Sequence, residues 1–400
     1  MASRVLYSFP HVLGRAGIAE TALQQVLGLA RRNVEITLFC ASRGGVSLPR
    51  NVKVVETLVF LGRRIPHRAL GVQNAYGYHD RRVAAWLGRH HREVDIAHVW
   101  PRGCLRTLRT AARVGLPAVR ESPNPHTASV MRESLKAGAH AGVILPRSHS
   151  HASNAKVLAR ERAEYDAATA VLVPSPYAYG EFVAEGFPTS RLLQHRYGCD
   201  LERFSARPET AADDRRFRAV FVGRGDPTKG LHVALEAWRQ AAISNGEFLV
   251  AGRIIPEYRS AIAAGLALPG VRELGFVDDV PSLLRSADVL VLPSWTEGSA
   301  LVILEAEASG CVPLVSTASG TIGVDGREVL LHSVADTGLL ARQLRRLAAN
   351  PQELAMLSAY GSARREELGW DAAAAALIDC YSAAIDASKR PTPPRAASGA

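Results

Sequence analysis

Apolar residues along this chain gather into short, nearly unbroken runs, and the stretches between them repeat apolar positions at helical spacing. In the first half the runs read RVLYSF, VEITLFCA, VKVVETLVF, VDIAHVW, LPAVRE, TAVLVPS and LLQHRYG. In the second half they read FRAVFVG, EFLVAG, VRELGF, ADVLVLPS, CVPLVST and EVLLHS. Runs that are continuous rather than alternating suit strands buried on both faces, as in a parallel sheet covered by helices. Segments such as GIAETALQQVLGLARR and TGLLARQLRRLAANP have the period of amphipathic helices and lie between the strands. The alternation predicts an α/β chain with two doubly wound, parallel, Rossmann-like domains.

The seam is expected in DLERFSARPETAADDRRFRAVFVG, whose polar, turn-prone middle (205–215) precedes a fresh first strand. A first domain over 1–205 and a second over 206–369 follow. GWDAAAAALIDCYSAAIDASKR reads as a closing helix over about 370–388, and 390–400, ending PTPPRAASGA, reads as a disordered tail.

A length of 400 residues with 47% hydrophobic and 22% charged residues supports two sizeable cores and excludes general disorder. No apolar run reaches the roughly 18 residues of a membrane span. The N-terminus lacks the apolar core and cleavage site of a signal peptide, so a cytoplasmic location is expected. Five scattered cysteines without a CxxC pair point to free thiols and to neither a disulfide framework nor a zinc site. The formal charge of +10 is uneven: residues 43–92 carry ten Lys or Arg against Glu56 and Asp80. Such a region suits an anionic membrane surface or a phosphorylated ligand, or else is an ordinary solvated face. Stacking platforms and nucleic-acid motifs are missing, which argues against nucleic acid.

In a doubly wound sheet, ligands bind beyond the carboxyl ends of the strands. After FRAVFV the chain continues GRGDPTKGLHVALEAW, in which Gly223 leaves the strand and Arg224 and Lys229 bracket a turn into a helix. Glycines, two cations and a helix N-terminus favour an anion. The spacing fits neither GxGxxG nor GxxxxGK[ST]. After ADVLVLPS comes WTEGSALVILEAEASG, a turn into a second helix. Backbone N–H groups over Gly298, Ser299, Ala300 and Leu301 would suit a phosphate. Glu305, more than one turn in, could accept two hydroxyls of a ribose. Glu297, at the tip, would face whatever extends past the phosphates. The plainer alternative makes Glu297 a cap and Glu305 and Glu307 solvated carboxylates.

The stretch Glu297-Gly-Ser-Ala-Leu-Val-Ile-Leu-Glu305 resembles the E-x7-E motif of retaining GT-B glycosyltransferases of the family 4 type. VGRGDPTKG, FLVAGR, VRELGFVDDVPSLLRSADVLVLPS and CVPLVSTASG continue the resemblance in order across 217–331. The resemblance implies a GT-B fold, with two Rossmann-like domains facing across a cleft. It also implies a nucleoside-diphosphate-sugar donor (a UDP-sugar foremost), an acceptor hydroxyl compound, retention of configuration, and no cofactor or metal. By the same resemblance Arg224 and Lys229 would hold the diphosphate, Glu305 the ribose, Glu297 the sugar, and Phe276 and Val277 the base. In the first half GRAGIAE resembles the family's G-G-x-x-E loop, with Gly17 and Glu20 in place and Ala16 for the first glycine. GLPAVRESPNPHT resembles the segment that brings a histidine near the transferred sugar, which makes His126 a catalytic candidate; His98, at another strand end, is a weaker one. YGCDLERF resembles the family's hinge, and TIGVDG after Gly320 departs from its glutamate. A soluble natural product or oligosaccharide is the favoured acceptor. A lipid acceptor would use residues 43–92 as a peripheral docking face at the inner membrane surface. A nucleotide-sugar 2-epimerase and a non-catalytic sugar-nucleotide-binding protein are the competing readings.

Overall fold

The computed structural model describes residues 2–15, 17–146, 149, 152–206 and 216–389. The tail from 390, most of the 205–215 seam and Ala16 lie outside these residues. Two parallel sheets organise the rest. The first contains β1 (Arg4–Val12), β2 (Glu35–Ser42) and β3 (Val52–Glu56). A small antiparallel hairpin follows, β4 (Val59–Phe60) with β5 (Arg63–Arg64), so the VKVVETLVF run is broken into two strands after Glu56. The sheet then takes up β6 (Ile96–Val99), β7 (Ala118–Glu121), β8 (Ala170–Val173) and β9 (Leu192–Gln194), in the spatial order β3-β2-β1-β6-β7-β8-β9. The second sheet holds β10 (Phe217–Val222), β11 (Gly246–Ala251), β12 (Val271–Gly275), β13 (Val289–Leu292), β14 (Val312–Ser316) and β15 (Leu330–His332), ordered β12-β11-β10-β13-β14-β15. Both orders reverse direction beside their first strand, which opens a crevice at the carboxyl ends of the central strands. Two facing sheets of this kind make the GT-B fold.

The continuous apolar runs are the buried central strands, and all four residues of β6, β8 and β13 are buried. Their helices cover both faces, which is why these strands show no alternation. The last helix, Trp370–Lys389, crosses back onto the first sheet's core, where Leu377, Tyr381 and Ala384 pack with Val26 and Leu29 of the Ile18–Arg31 helix.

The two strands of chain that pass between the sheets lie side by side. Cys199 N–H donates to Leu368 O at 2.8 Å. A Cβ on Gly198 would fall 2.6 Å from the Gly369 carbonyl carbon, so the crossing backbones are in direct contact. Cys199 is buried, with its thiol toward Leu304 O, and is a packing residue. A buried carboxylate anchors this crossing. Glu121, at the end of β7, bonds His195 at 3.0 Å, Tyr197 Oη at 3.1 Å and Gln25 at 3.0 Å. His98 bonds Tyr381 Oη at 2.6 Å and sits 3.4 Å from Glu121. Burial opposes the Glu121 charge, but His195 and His98 beside it hold its carboxyl well below the usual range. His98, a sequence candidate for the cleft, therefore works inside the core and joins the last helix to the first sheet.

Candidate active site

The loop after β10 is shaped by close approach. Gly230 has φ +72°, and a Cβ there would lie 2.0 Å from Pro293 O, so only glycine fits between this turn and the end of β13. A short 3-10 turn, Pro227–Lys229, precedes the Leu231–Ala241 helix, which starts two residues later than Lys229 itself. Asp226 caps the turn by accepting from Thr228 N–H at 2.9 Å, and its carboxylate stands 3.5 Å from Arg224 Nε. His149 beside Asp226 holds that carboxyl down to about 2 against the opposing effect of burial. Lys229 is delivered by this turn to Glu297, with which it forms an ion pair. Ser294 Oγ donates to the same Glu297 oxygen at 3.1 Å.

Gly223, Arg224, Phe276 and Val277 line one cavity of about 700 Å³, together with Arg253 and Ile255. Phe276 is 66% exposed, and the Arg253 guanidinium lies 5.5 Å from its ring centre. A flat aromatic face, apolar lining and two arginines suit a planar base with phosphates attached. Arg253 and Ile255 come from the loop after β11. Arg253 closes the FLVAGR stretch and Ile255 lies just beyond it, and neither carries a sequence signal of its own.

The Glu297–Glu305 segment departs in one respect from expectation. The helix starts at Leu301, with Ala300 as its cap, but Ala300 N–H already donates to Ser319 O at 3.3 Å. Ala300 is thus removed from the set of free donors, which leaves the first helical turn to offer its N–H groups. Glu305 sits half-buried one turn in, faced by Arg203 from the interdomain crossing. Burial pushes its carboxyl up to about 7, against the pull of Arg203. Glu307 is no solvated carboxylate either: it is buried, stands 3.1 Å from Arg364 Nε and is pushed up to about 8 by burial. Glu305 does not line the 700 Å³ cavity, although the Val280–Ser286 helix that borders it packs against the Leu301–Ala308 helix.

Gly298 is where the two domains meet. A Cβ on it would fall 1.8 Å from Pro123 O, and its carbonyl accepts from Ser175 Oγ at 2.5 Å. The two domains touch here. Across this contact, the first domain has a pocket of about 200 Å³ lined by His11, Ile18, Tyr76, Arg102, Asn124 and Glu161 among others. Gly17, at φ +83°, caps the Ile18–Arg31 helix immediately before Ile18. Both arginines on this pocket are paired. Arg102 Nε is 3.1 Å and Arg120 Nη2 2.8 Å from Glu161, and Arg120 also bonds Glu164 at 3.2 Å.

His126 is not part of this pocket's lining. It caps the Thr127–His140 helix, accepting from Ala128 N–H at 3.3 Å, and its ring packs against Tyr165 and Phe182 at 5.1 and 5.2 Å. Burial holds its imidazole down to about 4, so it is neutral at physiological pH. The ring, placed by sequence near the transferred group, lies between these two aromatics, with Nδ1 3.8 Å from Glu185. Its neighbours Asn124 and Thr127 reach the pocket instead. Among the described residues no cluster of three or more His, Cys, Asp or Glu could hold a metal ion.

The chain and its fold have known relatives. The glycosyl transferases group 1 family matches residues 216–350. The chain is similar to a D-inositol 3-phosphate glycosyltransferase of Streptomyces scabiei, 27% identical over 399 residues, covering 90% of this chain and 85% of that protein. One of the same description from Thermobispora bispora is 32% identical over 243 residues, covering 52% and 54%. Among solved structures, sucrose-phosphate synthase from Thermosynechococcus elongatus superposes with a TM-score of 0.70 at 18% identity, over 96% of this chain and 100% of that one. Anabaena Alr3699/HepE in complex with UDP-glucose gives 0.63 at 16% identity, over 95% and 99%.

Proposed function

Since the chain belongs to the glycosyltransferase group 1 family, with a nucleotide-sugar donor, we propose that it transfers a hexosyl group from a UDP-sugar to an acceptor hydroxyl with retained configuration. The observation that carries this reading is the Lys229–Glu297 pair beside the contact between the domains, with Arg224 on the adjoining cavity and the first turn of the Leu301–Ala308 helix beyond it. The base would lie against Phe276 and Val277, and the ribose diol would be held by Glu305. Arg224, Lys229 and free N–H groups around Gly298, Ser299 and Leu301 would neutralise the leaving diphosphate, with no need for a divalent metal. Glu297 would grip the sugar while Ser294 and Lys229 fix its carboxylate. The departing phosphate oxygen would take the acceptor's proton on the face from which it leaves. No described residue is positioned as a covalent nucleophile in this reading. Closure at Gly298 and Pro123 would exclude water, which otherwise hydrolyses the donor.

The acceptor would enter the pocket of the first domain. Because Arg102 and Arg120 are already paired with Glu161 and Glu164, that pocket favours an uncharged polyol on a soluble natural product or oligosaccharide. The relatives' description names a phosphorylated acceptor, D-inositol 3-phosphate. The test measures nucleoside diphosphate release from UDP-, GDP- and ADP-sugars in the presence of EDTA, with inositol, D-inositol 3-phosphate or an oligosaccharide pool as acceptor. Slow release without acceptor, faster release with one, and a product with the donor's anomeric configuration by NMR are expected. Conversion of the donor to an epimer without any acceptor would overturn the reading.

A further inference from the structure

The first domain carries a second concave site away from the crevice. The Val72–His90 and Leu105–Arg113 helices pack side by side on the outer face of the sheet. Between them runs a groove of about 500 Å³, floored by Ala84, Ala85, Gly88 and Thr110. Its walls are five arginines: Arg81 and Arg89 from one helix, Arg106, Arg109 and Arg113 from the other. All five are exposed, and among the described residues none of them has an ion-pair partner. The two helices contain a single acid, Asp80. It is buried and spends its carboxylate on the start of the second helix, accepting from Arg106 N–H at 2.8 Å and Thr107 N–H at 2.9 Å. The face therefore presents arginines with no exposed carboxylate to offset them, an arrangement costly in self-repulsion unless an anion meets it.

The segment that leads into this face is apolar and equally exposed. At the tip of the β4–β5 hairpin Phe60 is 67% and Leu61 87% exposed, and Leu70 and Val72 follow at 38% and 44%. Arg63, Arg64 and Arg68 lie between them, and no acid occurs from residue 57 to 79. Large apolar side chains at a loop tip, interleaved with arginines and followed along the chain by the helix that walls the unpaired cationic groove, match the two needs of an anionic lipid surface. Apolar groups enter the acyl boundary and cations meet the headgroup phosphates. A nucleic acid would have no use for the Phe60–Leu61 tip. Among the described residues no helix is long and apolar enough to cross a membrane.

We propose that the β4–β5 hairpin and the arginine groove between the Val72–His90 and Leu105–Arg113 helices form one peripheral docking face for an anionic membrane surface. The inference does not depend on the donor or the acceptor, and it extends the basic region read from residues 43–92. Three of the five groove arginines lie outside that region, on a helix that only folding brings alongside.

Sedimentation with vesicles tests it. The full chain is mixed with vesicles of phosphatidylcholine alone, or with about three tenths phosphatidylglycerol, at low and physiological salt, and separately with a short DNA duplex. Partition onto the anionic vesicles alone, weakened by salt, is expected. R81A/R106A/R109A should lower it at least about tenfold, since each cation near the surface contributes severalfold, and F60S/L61S should lower it independently. Both variants change exposed side chains, and an unchanged melting temperature and unchanged UDP-induced thermal shift would show that they are folded. Failure to bind anionic vesicles at low salt would overturn the proposal. So would undiminished binding by both folded variants, or arginine-dependent binding of DNA in preference to vesicles.

Discussion

Lys229→Ala should lower kcat/KM for sugar transfer by about 10²–10³-fold, the loss typical of removing one preorganised charge that stabilises a leaving group. Lys229 stands on a 3-10 turn locked by Asp226, and its ammonium already faces Glu297 across the strand ends. Removing it takes away the cation nearest the proposed diphosphate. It also leaves the Glu297 carboxylate unpaired beside two phosphates, so repulsion adds to lost attraction. Folding should be little affected, because the lysine side chain is 26% exposed and belongs to no core cluster. Glu297→Gln separates the two contributions: it removes the negative charge, keeps the hydrogen bond from Ser294 and should cost turnover more than nucleotide affinity. Initial rates of nucleoside diphosphate release, beside melting curves, check both. A Lys229→Ala enzyme within tenfold of wild type would remove the diphosphate role.

Gly298→Ala should leave nucleotide affinity within about threefold of wild type and reduce turnover by about 10²-fold, as displacements near 1 Å at a reacting centre do. The added Cβ would stand 1.8 Å from Pro123 O and 2.6 Å from the Pro123 carbonyl carbon, both backbone atoms with no rotamer to relieve the overlap. Relief requires the first domain to move away from the second, which also stretches the 2.5 Å bond from Ser175 to the Gly298 carbonyl. The base cavity lies wholly on the second domain and should be spared. Separate measurement of UDP affinity and kcat decides the matter. Unchanged turnover would mean that the Gly298–Pro123 contact plays no part in the working conformation.

Much of this was legible along the chain because the two relevant signals are local. Burial in a covered sheet leaves apolar runs, so each of the thirteen sheet strands overlaps a run read from sequence, although β1 continues three residues past RVLYSF. Gly223 and Arg224 were legible from the turn that ends their strand, Phe276 and Val277 only from the family resemblance, and all four line one cavity. What stayed hidden depends on side-chain direction or on distant partners. His126 reads as a cleft histidine in SPNPHT, yet the helix it caps turns its ring onto Tyr165 and Phe182. Ala300 reads as a free donor until the Ser319 carbonyl, from the loop after β14, is seen to occupy it. Glu121 looked like the last residue of a strand. Its partners Gln25, His98 and the His195/Tyr197 pair come from three other places in the chain, and nothing in its neighbourhood announces a buried charge.

The central claim is that the Glu297–Glu305 segment grips a nucleotide, and titration calorimetry of UDP, GDP and ADP into wild type and Glu305→Ala tests it most directly. At pH 7.5 at least one nucleotide should bind wild type and bind the variant about tenfold or more weakly, the worth of hydrogen bonds to a charged group. Because burial pushes the Glu305 carboxyl up to about 7, lowering the pH to 6 protonates it and should weaken wild-type binding. The variant should keep only the dependence that comes from the nucleotide's own terminal phosphate, which titrates at about pH 6. No binding of any of the three, or equal affinity and equal pH dependence in both proteins, would contradict the account.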